Sequence, residues 1–286
     1  MKIISEDFDL IEHFFRDQAP ESNELHLLWL GQAGFALNYS GKRMLIDPYL
    51  SDYLSKKYKG TLFPHVRLME IPIEPEKLRN IDYVFCSHPH SDHMDPETLT
   101  TLSKNNPSCK FVVPSAEIEE AIRRGVNEDQ LLSINVKQKL KLSEKILVDA
   151  IPAAHETFKI NDKNEHSFLG FIFTFNGIKL YHSGDCIPYD GLAENLKRLH
   201  VDIALLPING RDEYRLKNAI AGNFKIQEVL DLCKQAEITH LIVHHFGMFA
   251  YNTVTEEDLR YLETQSTPSL KIIVPRIKQE YKIIDE

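Results

Sequence analysis

The segment SHPHSDHMD, Ser87 to Asp95, carries His88, His90, Asp92 and His93 in the pattern His-x-His-x-Asp-His. Where a strand ends, period-two spacing sends His88 and His90 to the same side, so two imidazoles can grip one divalent ion. Asp92 and His93 fall where the chain turns into a helix, within reach of a second ion. Imidazole and carboxylate donors without a thiolate suit Zn and also Mn or Fe. Two such ions sharing a water lower its pKa toward neutrality and supply a hydroxide nucleophile, so the chemistry on offer is hydrolysis at a carbonyl or phosphoryl centre.

Several elements must hold that turn in place. DYVFCSH, leading into it, is a short apolar run that fits a buried strand, and Asp95-Pro96 supplies an N-cap and an N1 proline for a helix through about Lys104. Upstream, HLLWL, GFALNY and KRMLID alternate as strands, the last two joined by a tight turn at Ser40-Gly41. Downstream, KFVVP, KILVDAIPA, FLGFIFTF, IKLYH, VDIALLP, HLIVHH and LKIIVP read as strands. Helical spacing predicts helices at Ala193 to Leu199, Phe224 to Gln235 and Glu256 to Thr264. Ser5 to Gln18 places Phe8, Ile11, Phe14 and Phe15 at helical spacing and predicts a leading helix over about 5–18. Residues 48–75 form a long irregular stretch, of the length that more often serves as a lid or rim than as an inert connection.

Two stretches echo each other. GFALNYSGKRMLID, Gly34 to Asp47, and GFIFTFNGIKLYHSGD, Gly170 to Asp185, each run from a Gly-Phe strand through a turn glycine to a second strand with an Asp at its exit. Meander strands followed by strand-helix alternation in each half suggest two packed sheets with helices outside, an αββα sandwich of α/β (α+β) class folded as one domain over 1–286.

Composition narrows the function. With 286 residues and 43% hydrophobic content a sizeable core is available, and a net charge of -9 excludes a general basic surface for large nucleic acids or anionic membranes. The first ten residues contain no long apolar run, so no signal peptide or membrane span is readable and the cytoplasm is the expected location. Cys86, Cys109, Cys186 and Cys233 are scattered without a C-x-x-C pair, which argues against a zinc ribbon or a disulfide framework.

From WLGQAGFAL through IDPYL, SHPHSDHMD, IPAAHE, YHSGD and LLPINGRD to IVHHFGMF, the chain resembles the metallo-β-lactamase superfamily, and within it the branch of L-ascorbate-6-phosphate lactonases. The resemblance implies that His88, His90 and His155 hold one metal, that Asp92, His93 and His244 hold a second, and that Asp185 bridges both. Without it, His155 reads as an ordinary loop histidine and Asp185 equally as a helix N-cap. His244 and His245 are adjacent at a strand end and alternate faces, so only one can point at the metals. Position in the family motif selects His244. Asp47 matches a family aspartate that orients the ligand loop rather than binding metal. His182 is a candidate site wall, and Cys186 stands where the family often has Thr or Ser.

The resemblance further implies a hydrolase working on a small anionic ester or lactone, with L-ascorbate 6-phosphate lactone as the concrete expectation. It would use two divalent ions, Mn or Zn with Fe also compatible. Asp92 or a neighbouring water would pass a proton to the leaving oxygen, so Asp92 and Asp185 are the catalytic candidates. Arg211, in PINGRDEYRLK, is the candidate contact for the substrate anion. The alternatives are a phosphodiesterase acting on small nucleotides and a non-catalytic metal-binding protein. Large nucleic acids and membranes are not expected partners, and a homo-oligomer is left open.

Overall fold

A computed structural model describes residues 1–7, 11–16 and 24–284. In chain order they form β1 (Lys2–Asp7), α1 (Ile11–Arg16), β2 (Leu25–Gly31), β3 (Gly34–Tyr39), β4 (Lys42–Ile46), α2 (Tyr53–Lys57), β5 (Tyr83–Phe85), α3 (Pro96–Asn105), β6 (Lys110–Pro114), α4 (Ile118–Arg123) and β7 (Leu131–Ile134). There follow β8 (Lys139–Ser143), β9 (Ile146–Pro152), β10 (Leu169–Phe175), β11 (Ile178–His182), α5 (Leu192–Arg198), β12 (Ile203–Pro207), α6 (Glu213–Lys217), α7 (Ile226–Gln235), β13 (His240–His244), α8 (Glu256–Thr264), β14 (Lys271–Ile273) and β15 (Gln279–Ile284). The chain divides into two compact units, residues 1–134 with 276–286, and residues 135–275.

The first unit holds an eight-stranded mixed sheet in the order β1-β15-β2-β3-β4-β5-β6-β7. One edge of it joins opposite ends of the sequence, β1 pairing with β15 through Lys2 with Ile284 and Asp7 with Gln279. The β3–β4 turn is tight because Ser40 and Gly41 both take positive φ, 47° and 76°, the hand that matches the twist of the flanking strands. From β4 to β7 the strands run parallel. Leu28, Leu30, Leu45, Val84, Phe111 and Val113 of the sheet bury against Phe14 and Phe15 of α1 and Leu99 and Leu102 of α3. Each such side chain contributes about 1.5–3 kcal/mol by leaving water.

The second unit holds a seven-stranded sheet in the order β14-β13-β12-β11-β10-β9-β8. Strands β8 to β11 form an antiparallel meander, and β11 to β14 run parallel. α8 opens on Thr255, whose hydroxyl accepts from Asp258 N while the Asp258 carboxylate accepts from Thr255 N, a reciprocal cap that fixes its start.

The leading helix departs from expectation. Ser5 to Asp7 lie in β1 and only Ile11–Arg16 are helical; residues 8–10 and 17–18 of the expected helix fall outside the described residues. β1 pairs with β15 across nearly the whole sequence, and no local periodicity encodes that. Residues 48–75 contain the short helix α2 and are otherwise irregular. Among the described residues no helix is long and apolar enough to cross a membrane.

Candidate metal centre

Both sheets present their chemistry by the same rule, that functional loops gather at the carboxyl ends of parallel strands. In the first unit the loops after β2, β4 and β5 carry Gln32, Asp47 and the Ser87–His93 turn, and those three strands share one direction. In the second, the loops after β9, β11 and β13 carry His155, Asp185 and His245, again from strands of one direction.

Asp47 is the hub of the first unit. It is wholly buried, with a left-handed backbone at φ 45°. One carboxylate oxygen accepts Ser87 N–H at 2.7 Å; the other accepts Ser87 Oγ–H at 2.6 Å and His93 Nδ1–H at 2.7 Å. A carboxylate can only accept here, so the His93 proton sits on Nδ1. The Ser87 hydroxyl proton is spent on Asp47, so its oxygen accepts from His88 Nδ1–H at 2.9 Å. This proton count, inferred from the hydrogen-bond network, leaves Nε2 of both His88 and His93 as the lone-pair atoms, the form in which imidazole binds metal. The rings pack together, with centroids 4.7 Å apart for His88 and His90 and 4.0 Å apart for His88 and His93. His93 N–H and Met94 N–H both donate to His90 O, at 3.1 and 2.8 Å, closing the turn that delivers Asp92 and His93. Pro96 then opens α3, whose cap Asp95 accepts from Glu97 N at 3.3 Å and from the Thr98 hydroxyl at 2.5 Å.

Gln32, in the β2–β3 turn, donates through Nε2 to Asp92 Oδ2 at 2.8 Å. Neither Gln32 nor Ser87 stands out as a site residue in the sequence. The signals were present, a polar residue inside the WLGQAGF turn and a hydroxyl directly before the histidine run, but a single sequence does not show which turn residues face a site.

In the second unit Asp185 sits between two imidazoles. Its Oδ2 is 3.8 Å from His155 Nε2, and its Oδ1 is 3.3 Å from His245 Nε2. The loops are joined directly, Ile187 N–H donating to Ala154 O at 2.8 Å. His245, rather than the expected His244, therefore stands beside Asp185. The reason is local: β13 ends at His244, and His245 takes φ 61°, so the alternation of faces along a strand no longer applies at that residue. His244 instead stacks on His182, with ring centroids 4.9 Å apart and planes 5° apart.

These spacings test whether the donors fit a metal. Two ligand atoms on one ion with bonds of about 2.1 Å in tetrahedral geometry lie about 3.4 Å apart. The 3.3 and 3.8 Å separations at Asp185, and the 3.7 Å between Asp92 Oδ2 and His93 Nε2, bracket that edge length and exceed a good hydrogen bond. Cys186 adds no thiolate: it is wholly buried, burial pushes its thiol up to about 12, and Sγ–H donates to Ile187 O at 3.2 Å. Nitrogen and oxygen donors thus fit divalent first-row ions.

The Beta-lactamase superfamily domain family matches residues 42–246, from the start of β4 to Phe246. The chain belongs to the metallo-β-lactamase superfamily. A UPF0173 metal-dependent hydrolase of Caldivirga maquilingensis is 30% identical over 186 residues, covering 65% of this chain and 70% of that protein. The mitochondrial N-acyl-phosphatidylethanolamine-hydrolyzing phospholipase D of Saccharomyces cerevisiae is 30% identical over 243 residues, covering 81% of this chain but only 50% of the yeast protein. Among solved structures, Igni18, a metallo hydrolase of Ignicoccus hospitalis, superposes with a TM-score of 0.67 at 20% identity, covering 92% of this chain and 100% of that one. The two mixed sheets with their helices are the metallo-β-lactamase fold, and the chain is a metal-dependent hydrolase of that superfamily.

Arg211 is placed differently from its expected role. Its guanidinium donates from both terminal nitrogens to Glu228, at 2.6 and 2.7 Å, and from one of them to Asn223 O at 3.0 Å. The hydrogen bond with Glu228 raises its pKa. A fork already filled by a carboxylate of the same chain is not set to receive a substrate anion.

Proposed function

We propose that the chain's histidines and aspartates hold a pair of divalent ions, Mn or Zn, and that the protein hydrolyses a small anionic ester or lactone. The observation that carries this reading is Asp185, which turns one oxygen toward His155 and the other toward His245 at ligand-to-ligand distance. A bridging carboxylate requires that arrangement, and it argues against a purely structural aspartate, which would accept hydrogen bonds at closer range. In this reading His88, His90 and His155 serve one ion, and Asp92, His93 and His245 the other, with His245 replacing His244.

Bound there, two ions would supply a nucleophilic water of near-neutral pKa and polarise the scissile group. The chain's own residues do the positioning. Asp47 and Ser87 hold two imidazoles in one tautomer, so their ligand atoms are fixed before substrate arrives. Gln32 orients Asp92, and Asp92 is the carboxylate suited to carry a proton to the leaving oxygen.

For the substrate we keep a sugar-phosphate lactone such as L-ascorbate 6-phosphate lactone, without assigning its phosphate to Arg211. A phosphodiester is the second reading, favoured by the 81% of this chain that aligns with the yeast phospholipase D. Phosphorylated lactones, simple lactones and phosphodiesters offered to metal-reconstituted protein separate the two. A highest kcat/KM on the phosphorylated lactone supports the first, and fastest turnover of a phosphodiester replaces it with the second. No turnover of any ester by protein carrying two ions would overturn the hydrolytic reading.

A further inference from the structure

Between α2 and residue 71 the exposure alternates residue by residue. Phe63, His65, Arg67, Met69 and Ile71 are half-buried, while Leu62, Pro64, Val66, Leu68 and Glu70 face out. The inward residues are pinned. Arg67 donates to Tyr49 O at 3.1 Å and Ser51 O at 3.3 Å and lies 4.7 Å from the Tyr49 ring, and His65 stacks on Tyr58 at 4.1 Å. The stripe opposite is therefore held outward, with Leu62 70%, Val66 57% and Leu68 62% exposed. Among the described residues ten large hydrophobic side chains are exposed, and three of them fall within these seven positions. Isolated exposed apolar residues need no explanation, but an anchored row of them marks an interaction surface.

Charge distinguishes the occupant. The chain carries a net charge of -9, yet Lys56, Lys57, Lys59 and Arg67 outnumber Asp52 and Glu70 between Asp52 and Ile71. Lys56 is paired with Glu97. Lys59 is exposed and adjoins the stripe. A few aliphatic side chains cannot supply the roughly 1,200 Å² that a stable protein interface buries. A lipid surface has no such threshold, because wedged apolar side chains and nearby lysines add their contributions individually.

We propose that residues 58–71 form a docking loop for the surface of an anionic phospholipid bilayer, with Leu62, Val66 and Leu68 entering the interface and Lys59 meeting the headgroups. The expectation of no membrane partner rested on the net charge of the whole chain, whereas the cations a headgroup layer would meet beside this stripe are the exposed Lys57 and Lys59. The inference goes beyond the proposed activity and its test needs no turnover. Full-length protein is co-sedimented with vesicles of phosphatidylcholine, with and without about one third phosphatidylglycerol. The anionic vesicles should carry the protein down more strongly, and less so as salt is raised. The Leu62→Asp/Leu68→Asp variant should lose at least about tenfold in partitioning, and Lys59→Glu about fivefold. Both should keep the wild-type circular dichroism and metal content, since all three side chains are exposed. Wild-type protein that stays in the supernatant with both vesicle types overturns the proposal, as does equal binding by the double aspartate variant. A wild-type dimer that this variant dissociates, without vesicle binding, assigns the stripe to a second copy of the chain instead.

Discussion

The hairpins Gly34–Asp47 and Gly170–Asp185 solve the same folding problem and end in different chemistry. Each opens on a glycine that close packing demands: a Cβ at Gly34 would lie 3.1 Å from Gly31 O and 3.2 Å from Asp47 O, and one at Gly170 would lie 2.7 Å from the Tyr181 ring. Both turn through a residue of positive φ followed by glycine, Ser40-Gly41 and Asn176-Gly177. Each delivers an aspartate just beyond the second strand. Asp47 then accepts three hydrogen bonds at 2.6–2.7 Å. Asp185 faces two imidazoles at 3.3 and 3.8 Å. A carboxylate filled by donors organises its neighbours, whereas one held at ligand-to-ligand distance can share an ion with them. What surrounds the strand exit sets the role, not the hairpin.

The comparison breaks most sharply at Asp185. Asp185→Ala should lower kcat/KM more than about 100-fold without recovery at high metal, because the lost carboxylate is assigned to both ions; recovery with excess metal would place it outside the ligand set. Asp47→Asn should cost less, about 10–100-fold in metal affinity, and excess metal should restore most activity, because it removes orientation rather than a ligand. Ser87→Ala should move in the same direction by a smaller factor, and Ser87→Thr, which keeps the hydroxyl, should bind metal like wild type in a competition titration against a chromogenic chelator.

The second-unit loop sharpens the contrast further. His245→Ala should empty the ion assigned to Asp92 and His93, while His244→Ala should keep both ions and lose stability through the vacated stack on His182. Metal analysis with a denaturant midpoint for each variant decides this, and the opposite pattern would return the ligand role to His244. The smallest effect belongs to Arg211. Because it is half-exposed and paired within the chain, Arg211→Ala should cost about 1 kcal/mol or less in urea unfolding, with equal KM changes on phosphorylated and unphosphorylated substrates. A selective KM rise on phosphorylated substrates would reinstate it as an anion contact.

What the sequence reveals follows how local each cause is. The capped start of α3 at Asp95-Pro96, the Ser40-Gly41 turn and the bounds of α8 are written in neighbouring residues, and the structure shows them where those residues place them. The His-x-His-x-Asp-His spacing is equally local. The pairing of β1 with β15 is not, and the helical spacing of Phe8, Ile11, Phe14 and Phe15 drew Ser5 to Asp7 into a helix that the far end of the chain claims as a strand. Strand alternation says only that one of His244 and His245 faces the metals, and the family motif selects His244; the left-handed backbone at His245, one residue past the strand's end, is not legible in either. Arg211 looked available because Glu228, its partner, lies 17 residues away on α7.

The central claim is that one hairpin aspartate binds metal and the other only orients. Metal-free wild type, Asp47→Asn and Asp185→Asn, each titrated with Mn or Zn and followed by calorimetry with bound metal counted by mass spectrometry, test it directly. The account expects about two ions on the wild type, about two on Asp47→Asn with affinity weakened 10–100-fold, and neither ion held at wild-type affinity by Asp185→Asn. Two ions bound at wild-type affinity by Asp185→Asn would contradict it.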